Sequence, residues 1–217
     1  MSDRSPEVKP PRNVPIAEGI DFGPRTFVVA AGPCAVESRE QLQDCARAVA
    51  SAGAGLLRGG AYKPRTSPRS FQGLGRAGLD LLAEAAAETG LPVVTEVLDP
   101  RDVPAVAACA AMLQIGSRNM QNVPLLREAA QSGLPVLLKR GASATLDELL
   151  AAADYLLDEG NERIVLCERG LRSFDPSTRY LLDLAAVPAL KARSPLPVIV
   201  DPSHGTATPH RQEQSES

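Results

Sequence analysis

The chain alternates short apolar runs with longer segments in which apolar residues recur at helical spacing. Most of the short runs are continuously apolar, which is typical of strands buried on both faces of a parallel sheet. They predict seven strands at residues 26–31, 55–57, 92–97, 112–115, 135–138, 164–167 and 197–200.

The intervening segments are rich in Ala and Leu and predict six helices, at residues 38–52, 73–89, 102–110, 123–131, 146–158 and 177–191. Ser38 is a suitable N-cap, and Thr145 with Glu148 three residues later has the form of a capping box. Four glycines mark expected helix ends, namely Gly53, Gly90, Gly133 and Gly160.

Alternation of strands and helices indicates an α/β fold with a parallel sheet. An open doubly wound sheet and a (β/α)8 TIM barrel both fit this pattern. "GPCAVES" stands where a Gly-x-Gly-x-x-Gly turn would open the first helix of a dinucleotide-binding sheet, which favours the barrel. The count is one strand and two helices short of a complete barrel.

The pattern also divides the chain into three parts. Residues 1–25 are predicted to be a flexible N-terminal arm with a small hairpin at 14–22. Residues 26–206 form the incomplete barrel, and residues 207–217 a polar, disordered tail.

Composition excludes several classes of function. The net charge is −3, aromatic residues make up 3% of the chain and Trp is absent, so nucleic-acid binding is not expected. Neither a signal peptide nor an apolar span of about 18 residues is present, so no membrane partner is expected. Cys34, Cys45, Cys109 and Cys167 lack metal-finger spacing, which predicts free thiols and a cytoplasmic protein.

Charged side chains follow the predicted strands. In parallel α/β folds these strand ends meet on the face where substrates bind. They carry many cations on this acidic chain, which predicts one or two substrates with several negative charges. The residues in question are Arg58, Lys63, Arg65, Glu96, Asp99, Arg118, Lys139, Arg140, Glu168, Arg169, Arg172, Asp201 and His204.

A second group of strand-end residues suggests a metal. Cys34 follows the first strand and His204 follows the seventh. A thiolate and an imidazole suit a borderline divalent ion, although two side chains do not complete the usual coordination set.

Seven motifs in this order resemble those of the 3-deoxy-D-arabino-heptulosonate 7-phosphate (DAHP) synthases of the type Iβ branch, which are also similar to 3-deoxy-manno-octulosonate 8-phosphate synthases. They are "AGPCAVES" at 31–38, "LRGGAYKPRTSP" from 57, "TEVLD" at 95–99, "LQIGSRNMQN" at 113–122, "LLKRG" at 137–141, "LCERGLRSF" at 166–174 and "VDPSHGT" at 200–206. "KPRTS" favours DAHP synthase over the octulosonate enzyme.

The resemblance implies a (β/α)8 barrel that condenses phosphoenolpyruvate (PEP) with erythrose 4-phosphate, the first step of the shikimate pathway to aromatic amino acids. It assigns PEP binding to Arg58, Lys63, Ser117, Arg118, Lys139 and Arg169, and erythrose 4-phosphate binding to Arg65, Thr66 and Asp201. It implies catalytic roles for Lys63, Glu96 and His204. Cys34 and His204 would hold a divalent metal, which is Mn²⁺, Fe²⁺, Co²⁺ or Zn²⁺, and the protein would be a homo-oligomer or pair with another subunit.

The sequence departs from the family after "DPSHGT". Family members continue into an eighth strand and a loop that contribute a Glu and an Asp as further metal ligands, so this chain is expected to be C-terminally truncated and to lack both. The spacing of His210, Glu213 and Glu216 does not replace them. Two alternatives therefore stay open: a catalytically impaired homologue that binds phosphorylated metabolites or complements a full-length synthase, and a Schiff-base aldolase that uses Lys139.

Overall fold

The computed structural model describes residues 10–65, 67–175 and 177–205. Thr66, the predicted tail at 207–217 and its residues His210, Glu213 and Glu216 lie outside the described residues.

A two-stranded antiparallel hairpin opens the described chain. β1 spans Val14–Ala17 and β2 spans Ile20–Phe22. Val14 and Phe22 are buried against apolar side chains of the main sheet, such as Met112. The predicted hairpin at 14–22 is therefore present, and it closes the end of the sheet opposite the strand ends that carry the charged residues.

The main sheet contains seven parallel strands in sequential order, curled into a half-barrel. They are β3 (Ala30–Ala31), β4 (Leu56–Arg58), β5 (Val93–Val97), β6 (Met112–Ile115), β7 (Val136–Lys139), β8 (Ile164–Glu168) and β9 (Val198–Val200). A doubly wound sheet would reverse its strand order at a switch point, so that alternative is wrong.

Helices cover the outer face of the half-barrel. They are α1 (Arg39–Ser51), α2 (Arg76–Thr89), α3 (Val103–Ala107), α4 (Val123–Gln131), α5 (Leu146–Asp158) and α6 (Ala186–Arg193). The short α7 (Pro202–Gly205) instead follows the end of β9 and carries His204. The predicted caps are confirmed: the Ser38 side chain accepts a hydrogen bond from the Gln41 amide, and Thr145 and Glu148 form a capping box.

Three predicted elements need correction. The first strand is regular only at Ala30–Ala31, and the third helix is preceded by a 3₁₀ turn at Pro100–Asp102. The predicted helix at 177–191 is wrong over its first half. There the chain forms turns and bends, and Leu181 exchanges two backbone hydrogen bonds of 2.8 Å with Leu171 in an isolated bridge. α6 begins at Ala186, whose amide donates a hydrogen bond to the Asp183 side chain.

Two layers of apolar side chains hold the fold together. The outer layer packs helices on the sheet, and the inner layer fills the half-barrel with residues such as Val94, Leu137 and Val165. A cavity of about 830 Å³ lies between the edge strands β3 and β9 and extends to Arg58 and Lys139. Within the described ranges no helix is long and apolar enough to cross a membrane.

Candidate active site

Cys34, Arg58 and Lys63 meet where the first two strands of the half-barrel end. The Lys63 ammonium donates to the Cys34 carbonyl at 2.7 Å and lies 3.3 Å from its Sγ, and an Arg58 Nη2 lies 3.8 Å from the same sulfur. Gly32 permits this approach because its φ is 145° and a Cβ there would overlap the Arg58 carbonyl. The three side chains therefore converge through backbone that only glycine allows.

The cations stabilise Cys34 as a thiolate. A hydrogen bond with His204 is the largest cause, and although burial opposes it, the charges of Lys63 and Arg58 help to lower the pKa of Cys34 to about 5. The thiol is therefore ionised at neutral pH, as a metal ligand or a nucleophile must be.

Asp201 joins the other side of the site. Its Oδ2 accepts from the Lys139 ammonium at 2.6 Å and lies 2.8 Å from His204 Nδ1. Burial works against its charge, but the hydrogen bond with His204 and the Lys139 ammonium together hold the pKa of Asp201 well below its usual range. The hydrogen bond with Asp201, followed by that with Cys34, raises the pKa of His204.

Glu96 lies at the centre of the site and is 6% exposed. Burial raises its pKa, although Lys63, Lys139 and Arg58 oppose that shift, and its carboxylate is 4.0 Å from the Lys63 ammonium. A Cβ at Gly116 would collide with this carboxylate, so the glycine makes room for it. A buried carboxyl group with a raised pKa beside an ammonium is suited to proton transfer or to orienting water.

The remaining predicted substrate residues lie in the loops around this centre. Arg169 is buried at the end of β8, whereas Arg118 is exposed and donates to the Pro64 carbonyl at 2.9 Å. Arg65 is exposed and donates to the Phe71 carbonyl, and Ser117 begins the 3₁₀ turn that carries Arg118. Contacts thus join Cys34, Arg58, Lys63, Glu96, Lys139, Asp201 and His204, while Arg65, Ser117, Arg118 and Arg169 lie outside that connected set.

Arg140 and Glu168 have a different role from the other strand-end charges. Arg140 donates to Glu168 at 2.9 Å and to Asp183 at 3.1 Å, and both Arg140 and Glu168 are buried. Glu168 also accepts from the Gly170 amide at 2.7 Å. This network ties the loop after β8 to the sheet. The sequence pattern did not identify it, because an ion pair between residues far apart in the sequence leaves no spacing signal.

The donor atoms fit a divalent metal in part. Cys34 and His204 are hydrogen-bonded neighbours of the ligand types that Zn²⁺, Fe²⁺ and Mn²⁺ accept. Among residues 10–65, 67–175 and 177–205, no group of three or more His, Cys, Asp or Glu side chains is arranged to hold an ion. The described residues therefore offer two candidate ligands, Cys34 and His204.

Comparison with known proteins gives a consistent result. The chain is 51% identical over 185 residues to the phospho-2-dehydro-3-deoxyheptonate aldolase of Thermotoga maritima, covering 85% of this chain and 55% of that protein. It is 34% identical over 194 residues to the 2-dehydro-3-deoxyphosphooctonate aldolase of Nitratidesulfovibrio vulgaris, covering 85% of this chain and 69% of that protein.

The fold matches as well. The crystal structure of the DAHP synthase of Thermotoga maritima superposes with a TM-score of 0.85 at 47% identity, covering 90% of this chain and 56% of that chain. A truncated form of the Thermotoga maritima synthase superposes with a TM-score of 0.83 at 45% identity. This match covers 90% of this chain and 71% of that chain.

The chain thus spans little more than half the length of its Thermotoga relative. The profile of the DAHP synthetase I family matches residues 12–216. This match extends over nearly the whole sequence, and the chain belongs to the DAHP synthetase I family.

Proposed function

We propose that this protein condenses PEP with erythrose 4-phosphate to give DAHP and inorganic phosphate, as a transferase at the entry to the shikimate pathway. The observation that carries the proposal is the convergence of Arg58, Lys63 and Lys139 around Cys34, Glu96 and His204 in a member of this family. The name of the Thermotoga relative, a phospho-2-dehydro-3-deoxyheptonate aldolase, supports the choice of reaction.

The cations are proposed to bind PEP. Arg58, Lys63, Lys139 and Arg169, with Ser117 and Arg118 from the neighbouring loop, provide positive charge for its carboxylate and phosphate. Lys139 and Arg169 are both buried, so their charges are poorly screened by water. Holding both substrates in one orientation supplies much of the rate enhancement expected of such a site.

Lys63 and Glu96 are proposed to handle protons. C3 of PEP attacks the aldehyde carbon of erythrose 4-phosphate while water attacks C2 of PEP, after which phosphate leaves. The Lys63 ammonium supplies a proton to the oxygen that was the aldehyde oxygen, and the Glu96 carboxylate orients the attacking water and accepts its proton. Their 4.0 Å separation and shared burial support these roles.

Cys34 and His204 are proposed to hold the divalent metal, which is Mn²⁺, Fe²⁺, Co²⁺ or Zn²⁺. When bound, the metal would act as a Lewis acid on the aldehyde oxygen. Asp201 orients the His204 ring through Nδ1, the usual way in which a carboxylate fixes a metal-binding imidazole.

The phosphate of erythrose 4-phosphate is assigned to Arg65 and Thr66, and Asp201 is assigned to the same substrate. Arg118 supports this assignment, since its hydrogen bond to the Pro64 carbonyl links the loop after β6 to the loop that carries Arg65. One loop would then position both substrates relative to each other.

Several broader features belong to the same proposal. The half-barrel is proposed to be part of a (β/α)8 barrel, with the position between β9 and β3 belonging to one further strand. Both edge strands line the cavity there, which supports this arrangement. Three features stay predictions. They are the division into an arm at 1–25, a barrel at 26–206 and a tail at 207–217, the assembly as a homo-oligomer or with another subunit, and the cytoplasmic location.

A direct assay tests the function. Purified protein is incubated with PEP, erythrose 4-phosphate and each of the four metals in turn, and DAHP is measured by mass spectrometry. We expect DAHP from the wild type and none from K63A or C34A. Absence of DAHP with every metal, together with intact PEP binding, would establish the alternative of a metabolite-binding homologue.

The Schiff-base alternative is disfavoured by the ion pair of Lys139 with Asp201. An ammonium group held by a carboxylate is not the free amine that attacks a carbonyl. Borohydride treatment in the presence of PEP and erythrose 4-phosphate should therefore leave Lys139 unmodified.

A further inference from the structure

Two arginines share one tyrosine ring in the loop after β8. The Arg169 guanidinium lies 4.2 Å from the ring centroid of Tyr180, and that of Arg179 lies 5.4 Å from the same centroid. Arg169 is only 7% exposed, whereas Arg179 is exposed. Arg169, Arg179 and Tyr180 are called the arginine–tyrosine cluster below.

The cluster has an excess of positive charge. In the part of the chain that the structure describes, neither arginine forms an ion pair, and the buried Arg169 Nη1 has no hydrogen-bond partner. Arginine stays protonated in proteins, and burying its charge without an anion is unfavourable. A cation–π contact offsets only a small part of that cost.

Tyr180 is held by its neighbours. Leu181, the next residue, is bonded through its backbone to Leu171, and Gly170 has a φ of 99°, with the place of its missing Cβ 2.9 Å from the Tyr180 Cβ. The Glu168 carboxylate fixes Gly170 by accepting a hydrogen bond from its backbone amide. The ring therefore has a defined position from which it orients Arg169.

We propose that the arginine–tyrosine cluster is a phosphoryl subsite in which Arg169 and Arg179 bind one phosphate dianion and Tyr180 is a positioning residue. Two guanidinium groups without carboxylate partners match the charge of a dianion, and the unpaired Nη1 of Arg169 supplies a donor. The inference rests on the proposed function, since it adds Arg179 and Tyr180 to the residues that bind a phosphorylated substrate.

Isothermal titration calorimetry with inorganic phosphate, PEP and erythrose 4-phosphate tests the subsite in the wild type, R179A, Y180L and Y180F. R179A should weaken phosphate binding about tenfold, as expected for a lost charge-assisted hydrogen bond. Y180L should also weaken it, because Arg169 then loses the ring that orients it. Y180F keeps the ring but removes the hydroxyl that hydrogen-bonds with both arginines, so it should weaken phosphate binding less than Y180L does. The substrate whose affinity falls with that of phosphate is the one that occupies the cluster.

Arg127 and Tyr155 provide a matched control. They form a similar stacked pair, 5.9 Å from guanidinium to ring centroid, but Arg127 is already paired with Glu159. R127A and Y155L should bind phosphate as the wild type does. Because Arg179 is exposed, R179A is expected to fold, and a thermal melt checks this.

The results separate the two proposals. If R179A and Y180L bind phosphate and both substrates as tightly as the wild type, the subsite is overturned even when DAHP is formed. If phosphate binding depends on Arg179 but no DAHP is formed with any metal, the proposed function is overturned and the subsite is supported.

Discussion

Lys139 and Asp201 form an ion pair of 2.6 Å between the ends of β7 and β9, across the intervening strand β8. The same carboxylate oxygen is 2.8 Å from His204 Nδ1. One side chain therefore fixes both a proposed PEP-binding cation and a proposed metal ligand.

Removing this carboxylate should destabilise the protein. D201A leaves the buried Lys139 ammonium unpaired, and we expect a loss of about 3 kcal/mol in the free energy of unfolding, measured by urea denaturation. E88A, which breaks the exposed Arg47–Glu88 pair, should cost less than about 1 kcal/mol. Equal stabilities of D201A and E88A would contradict the role assigned to Asp201.

Glu96 should make stability depend on pH. Burial raises its pKa against the opposing charges of Lys63, Lys139 and Arg58, while the Cys34 thiolate raises it further. The folded protein therefore retains a proton that the unfolded chain loses near pH 4.3, so stability should fall as pH rises from about 4.3 through the raised pKa.

The E96Q variant has no titratable group at this position. Its stability should therefore lack the part of the pH dependence that Glu96 causes. Urea denaturation of the wild type and E96Q between pH 4 and pH 7 measures it. The stability of E96Q relative to the wild type should increase with pH and then level off. Parallel curves over this range would show that Glu96 does not have a raised pKa.

Cys34 should be the most reactive thiol. Its side chain is exposed and its pKa is lowered to about 5, whereas burial raises the pKa of Cys167 to about 12. At pH 7, iodoacetamide should modify Cys34 well before Cys109 or Cys167, as peptide mass spectrometry can measure.

The same reaction reports on metal binding without an activity assay. Zn²⁺ or Mn²⁺ should slow the alkylation of Cys34 in the wild type but much less in H204A, because one of the two proposed ligands is then missing. A rate in the wild type that is unaffected by either ion would argue against Cys34 as a ligand.

The Arg140 network should be structural. E168A removes the fully buried partner of Arg140 and should cost about 3 kcal/mol of unfolding free energy. D183A leaves the Arg140–Glu168 pair intact and should cost about 1 kcal/mol, since Asp183 is partly exposed and its other role is to accept from the Ala186 amide. If D183A costs more than E168A, the loop is held mainly by Asp183.

The elements of the fold were predictable where burial decides the residue type. The strands at Val93–Val97 and Ile164–Glu168 are buried at every position, so they are mostly apolar, with Thr95, Glu96 and Glu168 as the exceptions. Residues 177–185 were misassigned because their apolar spacing resembles a helix, whereas turns and the backbone pairing of Leu171 with Leu181 keep them out of a helix.

The site was predictable to the extent that parallel strands present their ends on one face. This rule brought Cys34, Lys63, Lys139 and His204 together. It could not separate Lys139, which faces the centre, from the adjacent Arg140, which is bound to Glu168. Neighbours on a strand point to opposite faces, so their roles depend on register and on loops that carry no sequence signal.

The most direct test of the central claim is the dependence of phosphate release on erythrose 4-phosphate. Metal-loaded wild-type protein is mixed with PEP, and inorganic phosphate is followed before and after erythrose 4-phosphate is added. A site that couples the two substrates should release phosphate only after the addition, with one DAHP formed for each phosphate. Phosphate release from PEP alone at the same rate, or no release after the addition, would contradict the account.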